Sequence, residues 1–135
     1  MPDQITRLNP PKLPNSEAIG YSQISIAAPG RMAYISGQVA LPPEGGPVPA
    51  DLAEQMKVVA RNLRAALEAL DAGPEHIVIA KCYVVDLTPE RLAALMPPLL
   101  EAFDGAKPSL TGIGVAALAG PEFQVEVEVT VRLPG

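Results

Sequence analysis

Apolar and polar positions alternate strictly along residues 123–133, FQVEVEVTVRL, so that Val125, Val127, Val129 and Val131 share one face of a predicted strand. Gln124, Glu126, Glu128 and Thr130 share the other face, and the sequence alone does not say what those carboxylates look at. Two shorter stretches near the start follow the same period: SQISIAA (22–28) and MAYISGQVAL (32–41), separated by PGR, predict a hairpin. From Asp51 the period lengthens. Leu52, Met56, Val59, Leu63, Leu67 and Leu70 recur at three- and four-residue steps, with Glu54, Lys57, Arg61, Arg64 and Glu68 opposite them, which predicts an amphipathic helix. Asp51 followed by Glu54 resembles a capping box, and Gly73-Pro74 supplies a stop.

The run HIVIAKCYVVDL (76–87) is almost continuously apolar and β-branched, as expected of a central strand covered on both faces. Lys81 interrupts it; its stem is expected to pack while its ammonium reaches solvent or a carboxylate, a base or Schiff-base role being the sharper alternative. Thr88-Pro89 opens a second helix whose apolar stripe runs through Leu92, Leu95, Met96, Leu99, Leu100 and Phe103. Pro97-Pro98 falls inside that stripe, where lost donors and ring clashes predict a kink or a break. SLTGIGVAAL (109–118) makes one more strand before the last. The periodic segments thus read as two strands, helix, strand, helix, two strands, and two one-sided helices can cover only one face of such a sheet. The fold class is α+β, a two-layer sandwich with both helices on one face of a mixed sheet. The uncovered face points to self-association.

Composition narrows the function. A chain of 135 residues with 48% hydrophobic and 19% charged positions supports one globular domain, here 19–135, preceded by an irregular, proline-rich arm over 1–18. A net charge of −5 with scattered basic residues argues against nucleic acid as a partner, because that affinity comes from neutralising phosphates. The single cysteine, Cys82, and single histidine, His76, exclude an internal disulfide and the common zinc ligand sets. No metal or other cofactor is expected. No apolar run is long enough to cross a bilayer and the start lacks the layout of a signal peptide, so no membrane partner and a cytoplasmic address are expected. Cys82 on an apolar strand reads as a small hydrophobe rather than a nucleophile.

The segments IGYSQ (19–23), YISGQVAL (34–41), PADLAEQMKVVARNLRAAL (49–67), VVDL (84–87), KPS (107–109) and VEVEVTV (125–131), in this order and spacing, resemble the YjgF/RidA superfamily, also known as the endoribonuclease L-PSP family. The resemblance covers about residues 19–132. It implies a chorismate-mutase-like sandwich of βββαβαββ type, a homotrimer packed through its open sheet faces, and small-molecule clefts between subunits. It also implies that Glu126 holds the attacking water of an imine or enamine deaminase, and that Tyr21, Ser36, Leu110 and Thr111 line the cleft.

The chain departs from the deaminase pattern at one telling place. Where those relatives carry an arginine after the proline and small residue of the next-to-last strand, KPSLTG has Leu110. A guanidinium fork pairs bidentately with the carboxylate of a 2-imino acid; leucine cannot. Loss of a desolvated charge pair of this kind costs about 2–5 kcal/mol, so standard 2-imino-acid deamination is expected to be weak unless Lys81, Lys107 or Arg31 substitutes. Glu90 and Ala94 stand where relatives carry an aromatic residue and an asparagine, which makes the cleft more apolar. Hydrolysis of an imine, enamine or related metabolite and non-catalytic binding or sensing of a metabolite by the same trimer both remain open. Ribonuclease or chaperone-like activity, a label carried by some relatives, is disfavoured by the acidic charge.

Overall fold

A computed structural model describes residues 4–135. Strand β1 (Ile5–Leu8) pairs antiparallel with β2 (Ile24–Ala27), and β3 (Met32–Gln38) leads to helix α1 (Leu52–Ala69). A 3-10 turn at Pro74–His76 enters β4 (Ile77–Val85), then follow α2 (Pro89–Phe103), β5 (Ser109–Val115) and β6 (Val125–Arg132). The main sheet has the order β3-β6-β4-β5, antiparallel except for the parallel β4/β5 pair, so the last strand of the chain lies inside the sheet. The β1/β2 ribbon is tied to it by a bridge from Ser22 to Ser109 and by the Arg7 guanidinium, which donates to the carbonyls of Ile77 (2.6 Å) and Val78 (3.1 Å).

Both helices pack on one face, giving the expected α+β sandwich. The four valines of β6 are buried there with Ala80, Cys82 and Val84 of β4, against Met56, Val59 and Leu63 of α1 and Leu95, Leu99 and Phe103 of α2. Asp51 caps α1, its carboxylate accepting from the Glu54 amide at 3.1 Å. Glu54 does not complete a box; its carboxylate meets Lys57 instead, at 3.0 Å. The helix stops ahead of Gly73-Pro74, where Asp71 turns left-handed at φ +52°.

Four expectations are corrected. The arm over 1–18 is not irregular throughout, because Ile5–Leu8 finds the edge of β2. For the same reason 22–28 and 32–41 form no hairpin: β2 takes β1 as its partner, while β3 takes β6. The connection between them is held by buried Arg132, which donates to the carbonyls of Ala28 (2.8 Å) and Pro29 (2.6 Å). Strand β4 is covered on one face only; Lys81 is exposed and Ile79, Tyr83 and Val85 are half-buried on the other. Finally, α2 runs unbroken through Pro97 and Pro98. The two lost bonds would have ended on Ala93 and Ala94, both exposed, and Leu95, Leu99 and Phe103 anchor the helix on its buried side.

Gln55 is fully buried on the apolar side of α1, three residues after Leu52 and four before Val59. Its amide donates to the carbonyls of Pro49 (2.8 Å) and Glu122 (2.9 Å) and accepts from the Gln124 amide (2.9 Å). It thereby joins the start of α1 to the entry of β6. Gln55→Leu strips partners from three backbone groups, each worth about 1–3 kcal/mol when left unpaired. The expected net loss, after partial rehydration, is about 2–4 kcal/mol, read by calorimetry as a fall in Tm of roughly 10 °C.

Candidate functional site

The alternation of β6 that buries its valines puts Glu126, Glu128 and Thr130 on the open face of the sheet. Cross-strand register builds a polar row there: Thr111 of β5 stands beside Lys81 of β4, and Lys81 beside Glu128 of β6. In the next row Ile113 stands beside Tyr83, and Tyr83 beside Glu126. The register of β3 slips between Ile35 and Gln38, a bulge that holds Ser36 and Gly37 against β6. A Cβ at Gly37 would lie 2.2 Å from a Glu126 carboxylate oxygen and 2.7 Å from its Cγ. Glycine is therefore what makes room for this carboxylate.

The Tyr83 hydroxyl donates to the Glu128 carboxylate. That bond, with the neighbouring negative charges of Glu128 and Glu126, raises the Tyr83 phenol above its ordinary value. Tyr34, on the same face in register with Thr130, is 77% exposed. An open face with this much aromatic surface beside half-buried carboxylates is chemically unlike ordinary solvated sheet.

Tyr21 and Leu110 lie elsewhere. They line a cavity of about 330 Å³ on the helix side, between α2 and the β4/β5 edge. Helix α2 contributes Leu92, Leu95, Met96 and Leu99; β4 contributes Cys82 and Val84; Gly112 of β5, Ile19 and Leu87 complete it. Leu92, on the apolar stripe of α2, and Ile19 are 41% and 55% exposed at its rim. Burial raises the Cys82 thiol to about 12, in keeping with an unreactive hydrophobe.

The structure thus divides the sequence-derived residues into two groups. Glu126, Ser36 and Thr111 are on the open face, Tyr21 and Leu110 on the helix side, and one chain does not bring the groups together. Of the three cations considered as substitutes for arginine, Lys81 is on the open face. Arg31 lines a groove beside Arg132 and the C-terminus, and Lys107 is in the α2/β5 loop with φ +51°; none of the three lines the cavity. Sequence reasoning missed Gly37 and Tyr83. The SG pair within a strand pattern was the available signal for a bulge, whereas the Tyr83–Glu128 bond needed the register.

A family model described as Endoribonuclease L-PSP matches residues 14–133. The chain belongs to this family, the YjgF/RidA superfamily. It is 32% identical over 107 residues to the RutC family protein YjgH of Escherichia coli, covering 78% of each chain. It is 28% identical over 129 residues to the mitochondrial protein MMF1 of Saccharomyces cerevisiae, covering 94% of this chain and 84% of that one. The crystal structure of YyfB from Yersinia pestis, a protein of unknown function of the conserved Rid protein family, superposes with a TM-score of 0.91 at 35% identity. That match covers 96% of this chain and 99% of YyfB. Two helices on a mixed four-stranded sheet with an accessory two-stranded sheet agree with these Rid neighbours in fold. No helix among the described residues is long and apolar enough to cross a membrane.

Two spectroscopic and chemical outcomes follow from the geometry. In an ultraviolet pH titration, the difference between the natural protein and Tyr83→Phe should show a phenol ionising above pH ~10, moving back toward 10 in Glu128→Gln. Because the folded-state value is raised, the stability this group contributes is present below pH ~10 and lost as pH climbs through the raised value. Cys82 should be alkylated by iodoacetamide at pH 8 at least about a hundredfold more slowly in the folded than in the denatured protein, since the thiolate is the nucleophile.

Proposed function

We propose that the protein acts as a homotrimer whose clefts form between subunits, with Glu126 and Ser36 of one open sheet face completing a site walled by Tyr21 and Leu110 of a neighbour. The observation that carries this reading is the division of the candidate residues between two faces of one sheet. A second copy of the chain is the simplest means of joining them, and family membership supports such an assembly. Thr111 belongs with the Glu126 half. A cytoplasmic location is part of the same proposal.

In that cleft the reaction is hydrolysis of an uncharged imine or enamine. Glu126 holds a water and accepts its proton as the oxygen bonds to the imine carbon and the C=N π pair moves to nitrogen, which takes that proton. The carbinolamine then passes its hydroxyl proton through Glu126 to nitrogen, the C–N bond breaks, and ammonia leaves a carbonyl product. One positioned carboxylate contributes about 10²–10⁴-fold to such a step, enough for substrates that are already labile. A 2-imino acid is a poor substrate, because Leu110 and its neighbours offer its carboxylate no cation. The second reading, binding without turnover, is favoured by the uncharged lining of the cavity. RNA cleavage has less support: the chain carries net charge −5, and the groove that gathers Lys57, Arg61 and Arg64 on the helices also holds Glu54 and Glu101.

The test compares ammonia release from 2-iminopropanoate and from the ketimine of 4-methyl-2-pentanone, both generated in situ, over the buffer rate. The natural protein should accelerate only the neutral ketimine, Glu126→Ala should lose about 10²–10⁴-fold of that acceleration, and Leu110→Arg should gain at least about tenfold on 2-iminopropanoate. Acceleration that survives Glu126→Ala would remove the assigned base. Sedimentation equilibrium should give a trimer at micromolar concentration, and a monomer would overturn the inter-subunit site.

A further inference from the structure

We infer that the cavity beneath α2 is a binding pocket for the apolar group of an uncharged small molecule, a branched aliphatic chain of four to six carbons or a phenyl ring. This rests on the proposed cleft, since Tyr21 and Leu110 line both, and it names the class of molecule that cleft takes. About 330 Å³ is ample for such a group; a dry cavity of ~150 Å³ lined by aliphatic and aromatic side chains already admits benzene. No charged side chain is among the lining residues. The cavity's polar side-chain groups are the Tyr21 hydroxyl and the protonated Cys82 thiol. Burying a carboxylate there without a partner would be strongly unfavourable, whereas an amide, imine or carbonyl can use one hydroxyl and leave the rest of its surface to leucines and methionine.

Gly112 makes the room. A Cβ built on it meets nothing within 4 Å, and the residue lines the cavity in line with Leu110, two positions earlier on β5. The pocket is open at Ile19 and Leu92, both substantially exposed. Met96 adds an unbranched, adaptable side chain to the wall, suited to ligands of slightly different shape. Leu110 therefore does more than remove a cation: together with Gly112 it exchanges charge recognition for volume.

The deciding measurement is calorimetric titration with 4-methylpentanamide and 4-methylpentanoate, which share a carbon skeleton and differ in charge. The amide should bind saturably, and the carboxylate at least tenfold more weakly. Gly112→Leu, whose side chain grows into the vacant space, should weaken the amide at least tenfold with Tm unchanged within a few degrees. Leu110→Arg should reverse the preference between the two probes, which keeps the test decisive if Gly112→Leu folds poorly. Equal affinity for both probes, or amide binding unaffected in a folded Gly112→Leu protein, overturns the inference. Because neither probe is hydrolysed on this timescale, amide binding without ketimine turnover upholds the pocket and removes only the hydrolase reading. Ketimine turnover without discrimination between the probes does the reverse.

Discussion

Strand β6 is hydrogen-bonded on both sides, to β3 and to β4, and its two-residue alternation fixes which face of the whole sheet is the core. A slip of one residue would put Val125, Val127, Val129 and Val131 on the open face and drive Glu126, Glu128 and Thr130 among the leucines of the helices. Burial of a single unpaired carboxylate outweighs what any one cross-strand pair contributes, so the register is set by that alternation. The placement of every candidate residue on the open face is derived from it: Tyr83 reaches Glu128, Lys81 stands beside it, and the bulge at Ser36 and Gly37 opens the space that Glu126 occupies.

The same constraint explains why the candidate residues of one chain are divided between the two faces. Helices on one side leave the carboxylates facing outward, while α2 roofs a largely apolar cavity on the other side. The carboxylate row and the apolar cavity therefore lie on opposite faces of one sheet. The division also separates the two walls in the sequence, so that the apolar wall can change, as at Leu110 and Gly112, without disturbing the carboxylate wall.

The features legible in the sequence were those generated by uninterrupted periodicity. The α1 stripe, its Asp51 cap and the alternation of β6 needed no tertiary information, and the ordered motifs carried the family and the fold. What failed depended on partners. Four residues of β1 carry little pattern of their own and become a strand only on the edge of β2. The PGR segment looked like a hairpin turn, yet Arg132, more than a hundred residues away, holds it as a passage between sheets. The near-continuous apolar run of β4 resembled a strand buried on both faces because Ile79, Tyr83 and Val85 sit half-covered on the open side. Pro97-Pro98 was judged by local propensity, which packing through Leu95, Leu99 and Phe103 overrides. Period-two counting on β6 puts Glu126 opposite the buried valines, but placing Leu110 behind the sheet required the β4/β5 register, and placing Tyr21 there required the path of its loop.

That the final strand occupies an interior position also dictates when the protein can become itself. Until residues 125–132 arrive, β3 and β4 have no common neighbour, and each presents an unpaired backbone edge beside helices with no complete sheet to cover. On the ribosome the first 124 residues are therefore a collection of parts, with exposed edges of the kind that invite pairing with other chains. Closure comes through pairing of β6 with β3, far apart in sequence, the slow class of folding event. The growing chain is most dependent on protection until residues 125–132 have emerged.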